Sequence, residues 1–369
     1  MHSRTADYDH FVELRPSQAP PGISVLMPVY NQRAYVGAAI TSALAQQGIV
    51  AEIIFSDDGS SDGTFEEALQ IIDGWLKKNE CPHRIIVRRG KQRLWRDHLP
   101  LLIDRAGCDL VCQAHGDDLS AATRCRKLVQ VFTADPLISL AASEAALFTG
   151  FRNPEGEGRI KEGAKSLYPF SDSDLIDGHR FLIGALLAWR KSAVKGFPRL
   201  DRRFSATSHD RILTFRASLA GKVVLLQEPL VHRRAHPHQA SRLLYHEPNR
   251  NSDFGRSLLW MNAFWAMKRD LSRAMDLDLI GQDKKNRLEG EINRRMDAFQ
   301  QRLLESFRRY TYAGQYIAWV DDETLRKMKV TFMSTVKMYI EPVIMRFWRI
   351  TGPLLNFMRR MSDRLRGYR

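Results

Sequence analysis

Paired acids stand at two places where a β-rich run gives way to a turn. Asp57-Asp58 follow Glu52–Ser56, and Asp117-Asp118 follow Asp109–Ala114. Adjacent carboxylates repel each other, so such pairs call for a cation, hydrogen-bond donors or solvent. A further acid, Asp210, opens a segment of helical spacing beside His209, and Arg234 and His236 lie in a polar stretch beyond it. Carboxylates of this kind can bind a divalent cation through oxygen or take a proton as a general base. Each also has a plainer reading. Asp57-Asp58-Gly59-Ser60 fits an ordinary turn with a helix cap. Asp117-Asp118 fits a solvated cap, Asp210 fits a first-turn acid favoured by the helix dipole, and His236 fits an exposed loop histidine.

The elements that must position these groups alternate. Ile23–Val29, Glu52–Ser56, Arg84–Arg89, Asp109–Ala114 and Leu137–Leu147 read as strands, with helices over Arg33–Gln47 and from a cap at Asp62 to about Lys78. Alternation of this sort predicts an α/β fold with a mostly parallel sheet. Ligands of such sheets bind beyond the carboxyl ends of the strands, which is where both acid pairs fall. Residues 150–178 read as loop, Ser208–Ala220 as helix and Val223–Leu226 as strand. From 254 to 318 only helical spacing remains, with Trp260, Phe264, Trp265, Leu271 and Met275 roughly on one side.

Several classes lose their support. No G-x-G-x-x-G follows the first strand and no G-x-x-x-x-G-K-[ST] occurs. A nucleotide would instead be held by carboxylates, one at the base or ribose and one at a metal bridging the diphosphate. Cys81, Cys108, Cys112 and Cys125 form no C-x-x-C pair and no disulfide framework, so a reducing compartment with buried thiols is expected. The longest uncharged apolar run, Phe181–Trp189, is far short of the ~20 residues that span a bilayer. The N-terminal segment lacks the apolar core of a signal peptide. Of the net charge of +14, residues 324–369 supply 11 basic and 2 acidic side chains. The basicity therefore belongs mostly to the tail.

Ser24-Val-Leu-Met-Pro-Val-Tyr-Asn31, Ser56-Asp-Asp-Gly-Ser-Ser-Asp-Gly-Thr64 and the Asp117-Asp118 pair resemble the inverting family-2 glycosyltransferases of GT-A fold. Trp189-Arg-Lys-Ser-Ala-Val-Lys-Gly-Phe197 is similar to the family's acceptor-side segment. Ser208-His-Asp-Arg-Ile-Leu213 sits where Glu-Asp is usual, and Arg234-Ala-His236 where many members have Arg-x-His. The resemblance covers residues 23–241. It implies that Pro28 and Tyr30 line a base pocket and that Asp58 contacts the base, with Asp57 supporting the turn. Asp117 and Asp118 would be the acids of an Mg²⁺ or Mn²⁺ site, Asp117 also reaching the ribose, with His236 beside the metal. Asp210 would be the catalytic base, and His209, Trp189 and Arg234 would lie next to the acceptor or diphosphate. Arg96, or alternatively Arg93, would supply the basic group between the third and fourth strands.

Two departures stand out. His115 replaces the first acid of the usual Asp-x-Asp-Asp, as a metal ligand or merely a neighbour. His209 replaces the usual Glu before the base. The resemblance implies in-line attack of an acceptor hydroxyl on the anomeric carbon of a nucleotide sugar, with uracil the expected base and inversion the outcome. A non-catalytic GT-A-like scaffold is the alternative that the two histidines suggest.

The expected organisation is a flexible lead-in over 1–22 and a catalytic domain over 23–245, with a nucleotide half 23–120 and an acceptor half 121–245. A helical extension over 246–323 and a basic amphipathic tail over 324–369 follow. The tail interleaves Phe332, Ile340, Phe347, Trp348, Leu354 and Phe357 with basic residues, which suits a helix lying on an anionic membrane surface. A packed or intersubunit helix is the competing reading. Residues 254–318 suit a helical hairpin or a homo-oligomer surface. Nucleic-acid binding lacks a motif and a stacking platform. The expected partners are thus a nucleotide-sugar donor, a glycan or lipid-linked acceptor, and the cytoplasmic face of a membrane.

Overall fold

The computed structural model describes residues 10–91, 94, 97–149, 167–177, 182–198, 209–236 and 250–312. The chain divides into two units, 1–306 and 307–369, and the described part of the second is 307–312. Arg93, Arg96, His238 and the whole tail 324–369 lie outside the described residues.

A ten-stranded mixed sheet runs in the order β1-β4-β3-β2-β5-β9-β7-β10-β6, with β8 also on β10. Strands β2 (Ile23–Val29), β3 (Ala51–Asp57), β4 (Arg84–Arg89) and β5 (Leu110–Gln113) are mutually parallel. β2 and β3 are nearly continuous apolar runs because helices cover both faces of this part of the sheet. Strand β9 (Leu187–Arg190) inserts antiparallel between β5 and β7 (Ile138–Thr149). Two reversals leave β7 pointing the same way as β5, and β10 (Lys222–Ala235) pairs parallel with β7. Hence the ends of β2, β3, β5 and β10 and the beginning of β9 share one edge of the sheet.

Helices α1 (Arg33–Leu44), α2 (Thr64–Lys78), α3 (His98–Arg105) and α4 (Arg124–Ala134) flank the strands. In α2 the apolar side chains Phe65, Ala68 and Ile72 recur at helical spacing and are buried. Glu66 and Glu67 begin it and Lys77 and Lys78 end it, each sign matched to its end of the helix dipole. Two short helices, α5 (Asp172–Asp177) and α6 (Lys191–Val194), precede α7 (His209–Ala220). Helices α8 (Arg250–Asp276) and α9 (Gln282–Tyr312) complete the described chain. Phe215 and Leu219 of α7 pack with Phe264, Met267 and Leu271 of α8 and Leu288 and Ile292 of α9 in one cluster. Among the described residues no helix is long and apolar enough to cross a membrane.

The expected α/β architecture is present, with corrections of detail. The lead-in expected over 1–22 contributes β1 (Val12–Arg15), an antiparallel edge strand on β4. Partly buried Val12 and Leu14 pack on the core, and Arg15 Nε donates to the Cys81 carbonyl at 2.8 Å. The final strand is longer than Val223–Leu226 because it meets β7, β8 (Leu167–Pro169) and β6 (Leu119–Ser120) in succession. Asp62 does not occupy the cap position of α2. Gly63 does, at φ 86°, while Asp62 accepts from the Thr64 and Arg33 amides one step earlier. All four cysteines are free thiols.

Candidate active site

The shared strand edge gathers five loops. After β2, Asn31 turns at φ 49° and its side chain accepts the Ser61 amide at 3.0 Å. The Asn31 amide donates to Ser60 Oγ, and the Gln32 amide to Thr64 Oγ1, both at 2.8 Å. The loops after β2 and β3 are thereby laced into one wall. Asp57 supports that wall as expected. Its carboxylate accepts the Ser60 amide at 2.9 Å and the Ser60 hydroxyl, and its carbonyl accepts the Gly90 amide at 2.8 Å. Burial raises the Asp57 carboxyl above its ordinary value despite these donors. Asp58 is also buried, and its Oδ1 accepts the Leu94 amide at 2.7 Å. Beneath it His98 bonds Ser56 Oγ at 2.8 Å and stays neutral, its pKa lowered to about 3 by burial and by Arg88. Pro28 and Tyr30 are both half-buried on this wall.

The loop after β5 carries the second acid pair. Gly116 fits a close approach, since a Cβ there would stand 2.6 Å from Cγ1 of the buried Val29. Asp118 accepts the backbone amide of Arg234 at 2.9 Å, and Asp117 Oδ2 lies 3.0 Å from His236 Nε2. The loop is thus tied to the end of β10. His236 is buried and its ring lies 4.4 Å from that of Tyr35, so the exposed reading of this histidine is excluded. Burial pushes the Asp117 carboxyl up, but the His236 hydrogen bond and the nearby His115 and His236 rings outweigh it and leave it low. Asp118 is raised by burial and by the charge of Asp117.

His115, Asp117 and Asp118 each offer a ligand atom, and these atoms lie within 4.8 Å of one another. His115 Nδ1 stands 3.8 Å from Asp118 Oδ2, too far for a hydrogen bond. A nitrogen and two carboxylates with a gap between them fit a divalent cation, which would need its ligands about 3–4 Å apart. His236, expected beside the metal, turns Nε2 to Asp117, and His115 is the third ligand-bearing side chain of the cluster.

Asp210 sits in the first turn of α7, where the helix dipole favours an anion. Its Oδ2 accepts the Gly184 amide at 2.8 Å, and burial raises its carboxyl although His115 and this bond oppose that. A Cβ on Gly184 would stand 2.7 Å from Asp210 Oδ1 and 2.8 Å from Gln113 Oε1. Gln113 Nε2 in turn lies 3.1 Å from His115 Nε2. Asp210, Gln113, His115 and the acid pair therefore form one contiguous cluster. His209, next to Asp210, is buried.

Two expected neighbours of the site sit differently. Trp189 is 0% exposed and packs with Leu140 and Val111 in the core, because its face of β9 points into the sheet's apolar layer. It cannot meet an acceptor there. Arg234 is buried between the Tyr35 and Phe148 rings and its Nε donates to the Asp117 carbonyl at 3.0 Å. Expected next to the acceptor or diphosphate, it lies beside the acid pair, and its side chain holds their loop.

Arg124 went unnoticed in the sequence. Its buried guanidinium donates to the carbonyls of Gln113 at 2.9 Å and Ala185 at 2.7 Å, joining the end of β5 to the Gly184 segment. Gln113 and Gly184 went unnoticed as well. The only available signal was their adjacency to His115 and to the acceptor-like segment.

Residues 24–194 match the family described as Glycosyl transferase family 2. The likeness to that family lies in this part of the chain, and the fold is shared with a solved glycosyltransferase. S. aureus TarS 1-349 in complex with UDP-GlcNAc overlays with a TM-score of 0.53 at 15% identity, covering 75% of this chain and 73% of that one. The mannosyltransferase PcManGT from Pyrobaculum calidifontis, in complex with GDP-Man and Mn²⁺, overlays at 0.44 with 13% identity, over 79% and 88% of the two chains. An uncharacterized glycosyltransferase of Haemophilus influenzae is 45% identical over 53 residues, 14% of this chain. The match spans 21% of that relative's length.

Proposed function

We propose that the chain is an inverting glycosyltransferase. It moves a sugar from a nucleoside-diphosphate donor to a hydroxyl of a glycan or lipid-linked acceptor, in surface polysaccharide synthesis. The observation that carries this reading is the joining of Asp210 to the His115–Asp118 loop through Gly184 and Gln113. A base and a cation-binding group in one cluster are what displacement at an anomeric carbon requires.

Asp58, Pro28, Tyr30 and Asp117 hold the nucleoside in this reading, and Asp118 with Asp117 and His115 or His236 holds Mg²⁺ or Mn²⁺. When bound, the ion offsets charge on the diphosphate. Asp210 accepts the proton of the acceptor hydroxyl as its oxygen bonds to the anomeric carbon. The bond from that carbon to the diphosphate oxygen breaks on the opposite face, and the nucleoside diphosphate leaves with the electron pair. One displacement inverts the centre.

UDP is the first nucleotide to test, in keeping with the UDP-GlcNAc bound by TarS. A thermal-shift panel of UDP, GDP, dTDP and CDP, each with and without Mn²⁺, should show a metal-dependent rise with one of them. Hydrolysis of the matching nucleotide sugar should follow. No shift and no hydrolysis would leave a non-catalytic scaffold.

The basic tail 324–369 places the enzyme on the cytoplasmic membrane face in this reading. Co-sedimentation of the full chain with anionic vesicles, weakened by salt, is the expected result. Equal partition with neutral vesicles would remove the membrane from the proposal.

A further inference from the structure

We propose that His115 is a nitrogen ligand of the divalent ion, held in the ligating tautomer by Gln113, and that this makes the site prefer Mn²⁺ over Mg²⁺. The inference rests on the reading of the acid loop as the metal-holding part of the donor site, and concerns a position where the family pattern has an acid.

The gap between His115 Nδ1 and Asp118 Oδ2, 3.8 Å, is the first support. No hydrogen bond joins the two atoms at that separation, and a cation fits between them. The second support is Gln113. It is 6% exposed, and its Oε1 has no hydrogen-bond partner. A buried orphan acceptor is costly and rare.

The 3.1 Å contact between the Gln113 amide and His115 Nε2 can be made in two ways. With the amide nitrogen toward the ring, Nε2 accepts, Nδ1 carries the proton, and Gln113 Oε1 is left beside Gly184 without a donor, on the same small space that Asp210 Oδ1 borders. A half-turn of the amide reverses every sign. Gln113 Oε1 then accepts from Nε2–H and is satisfied. The amide N–H₂ takes the former place of the oxygen beside Gly184. Nδ1 is left with a lone pair directed at the acid pair, which is the form that binds a metal. Amide oxygen and nitrogen are assigned by their hydrogen-bond network, and the network here favours the half-turned amide. A ligating imidazole commonly donates its other N–H to such a partner. Arg124, bonded to the Gln113 carbonyl, fixes that partner in place.

The donor set follows from this arrangement. Carboxylates and water suit Mg²⁺, which dehydrates reluctantly and takes oxygen. Imidazole shifts preference toward first-row transition ions.

The test uses the full-length protein with Mn²⁺ alone and with Mg²⁺ alone. Pulsed electron paramagnetic resonance of bound Mn²⁺ should show ¹⁴N modulation. Labelling with ¹⁵N-histidine should replace it by the ¹⁵N pattern, a control that needs no variant. The modulation should vanish in His115→Asp and persist in His236→Gln. His115→Asp should also narrow the Mn²⁺-over-Mg²⁺ affinity ratio about tenfold, and Gln113→Leu should weaken Mn²⁺ about tenfold or more. Absence of ¹⁴N modulation in the wild type, or its survival in His115→Asp, overturns the inference. If such a protein still turns over a nucleotide sugar, the functional reading survives that failure. A protein that neither binds Mn²⁺ nor hydrolyses any nucleotide sugar fails both.

Discussion

The carboxylate of Asp210 and the backbone amide of Gly184 meet at 2.8 Å, joining the first turn of α7 to the segment that leads into β9. The bond orients one carboxylate oxygen, and the other borders the same space beside Gly184 as Gln113 Oε1. Because burial raises this carboxyl, its charged form is disfavoured in the folded protein. Any stability the protonated group contributes is present below its unfolded value and lost as pH rises through the raised folded one. Asp210→Asn should therefore hold or raise the melting temperature at neutral pH while abolishing transfer and sparing nucleotide binding. In the wild type, the acid limb of kcat/KM should lie above the ordinary aspartate value of 3.8. Near wild-type turnover in the variant would remove Asp210 as the base.

Gly184→Ala tests the same geometry without touching a charge. Its methyl would enter a space 2.7 Å from Asp210 Oδ1 and 2.8 Å from Gln113 Oε1. Both are side-chain atoms, so the fold can yield by moving them, and the movement displaces the base. Steady-state kinetics should show kcat down by about 100-fold, since small misplacements of reacting groups cost that much. Nucleotide affinity should change little. An unchanged kcat would mean that the Asp210–Gly184 spacing is not used in transfer.

The strand ends and acid pairs were legible in the sequence because they depend on local pattern. Val25, Met27 and Val29 form a buried run, and Asp57 and Asp117 fall where such runs stop. Partners in space were not legible. His236 reads as a polar-loop residue until β10 pairs with β7 and carries it to Asp117. Trp189 reads as an acceptor-side aromatic until β9 is seen to run antiparallel between β5 and β7, which buries it. For Arg124, nothing in the neighbouring sequence announces the two carbonyls it satisfies. The edge strand β1 was missed because its four residues are held by pairing with β4 and by core contacts that lie far off in the sequence.

His98 makes folding sensitive to acid. The unfolded chain protonates this ring below its ordinary pKa of 6.5, whereas the folded chain does so only near 3, because burial and Arg88 exclude the charge. Between those values the unfolded state binds more protons, so each fall in pH favours unfolding. The full loss approaches about 1.4 kcal/mol per pH unit within the window. Denaturant titrations from pH 7 to 4 should show a shallower decline for His98→Gln, which keeps a polar group near Ser56 Oγ. Equal slopes for both proteins would mean the ring is protonated in the folded state.

The helix that carries the proposed base is anchored by a buried ion pair. Arg216 of α7 reaches Asp270 of α8 through Nε at 2.7 Å and a second nitrogen at 3.1 Å, and also donates to the Pro198 carbonyl at 2.8 Å. The two side chains are 4% and 0% exposed. Burial raises the Asp270 carboxyl, and the facing guanidinium opposes this. Removing one member leaves the other charged and desolvated, which costs about 3–5 kcal/mol, whereas replacing both with apolar residues can be close to neutral. Asp270→Asn should therefore lower the unfolding free energy by about that amount, and Arg216→Met with Asp270→Leu should recover most of it. Chemical denaturation of the two variants decides the matter. A single variant as stable as the wild type would show that α7 is held by the Phe215–Phe264–Met267 cluster alone.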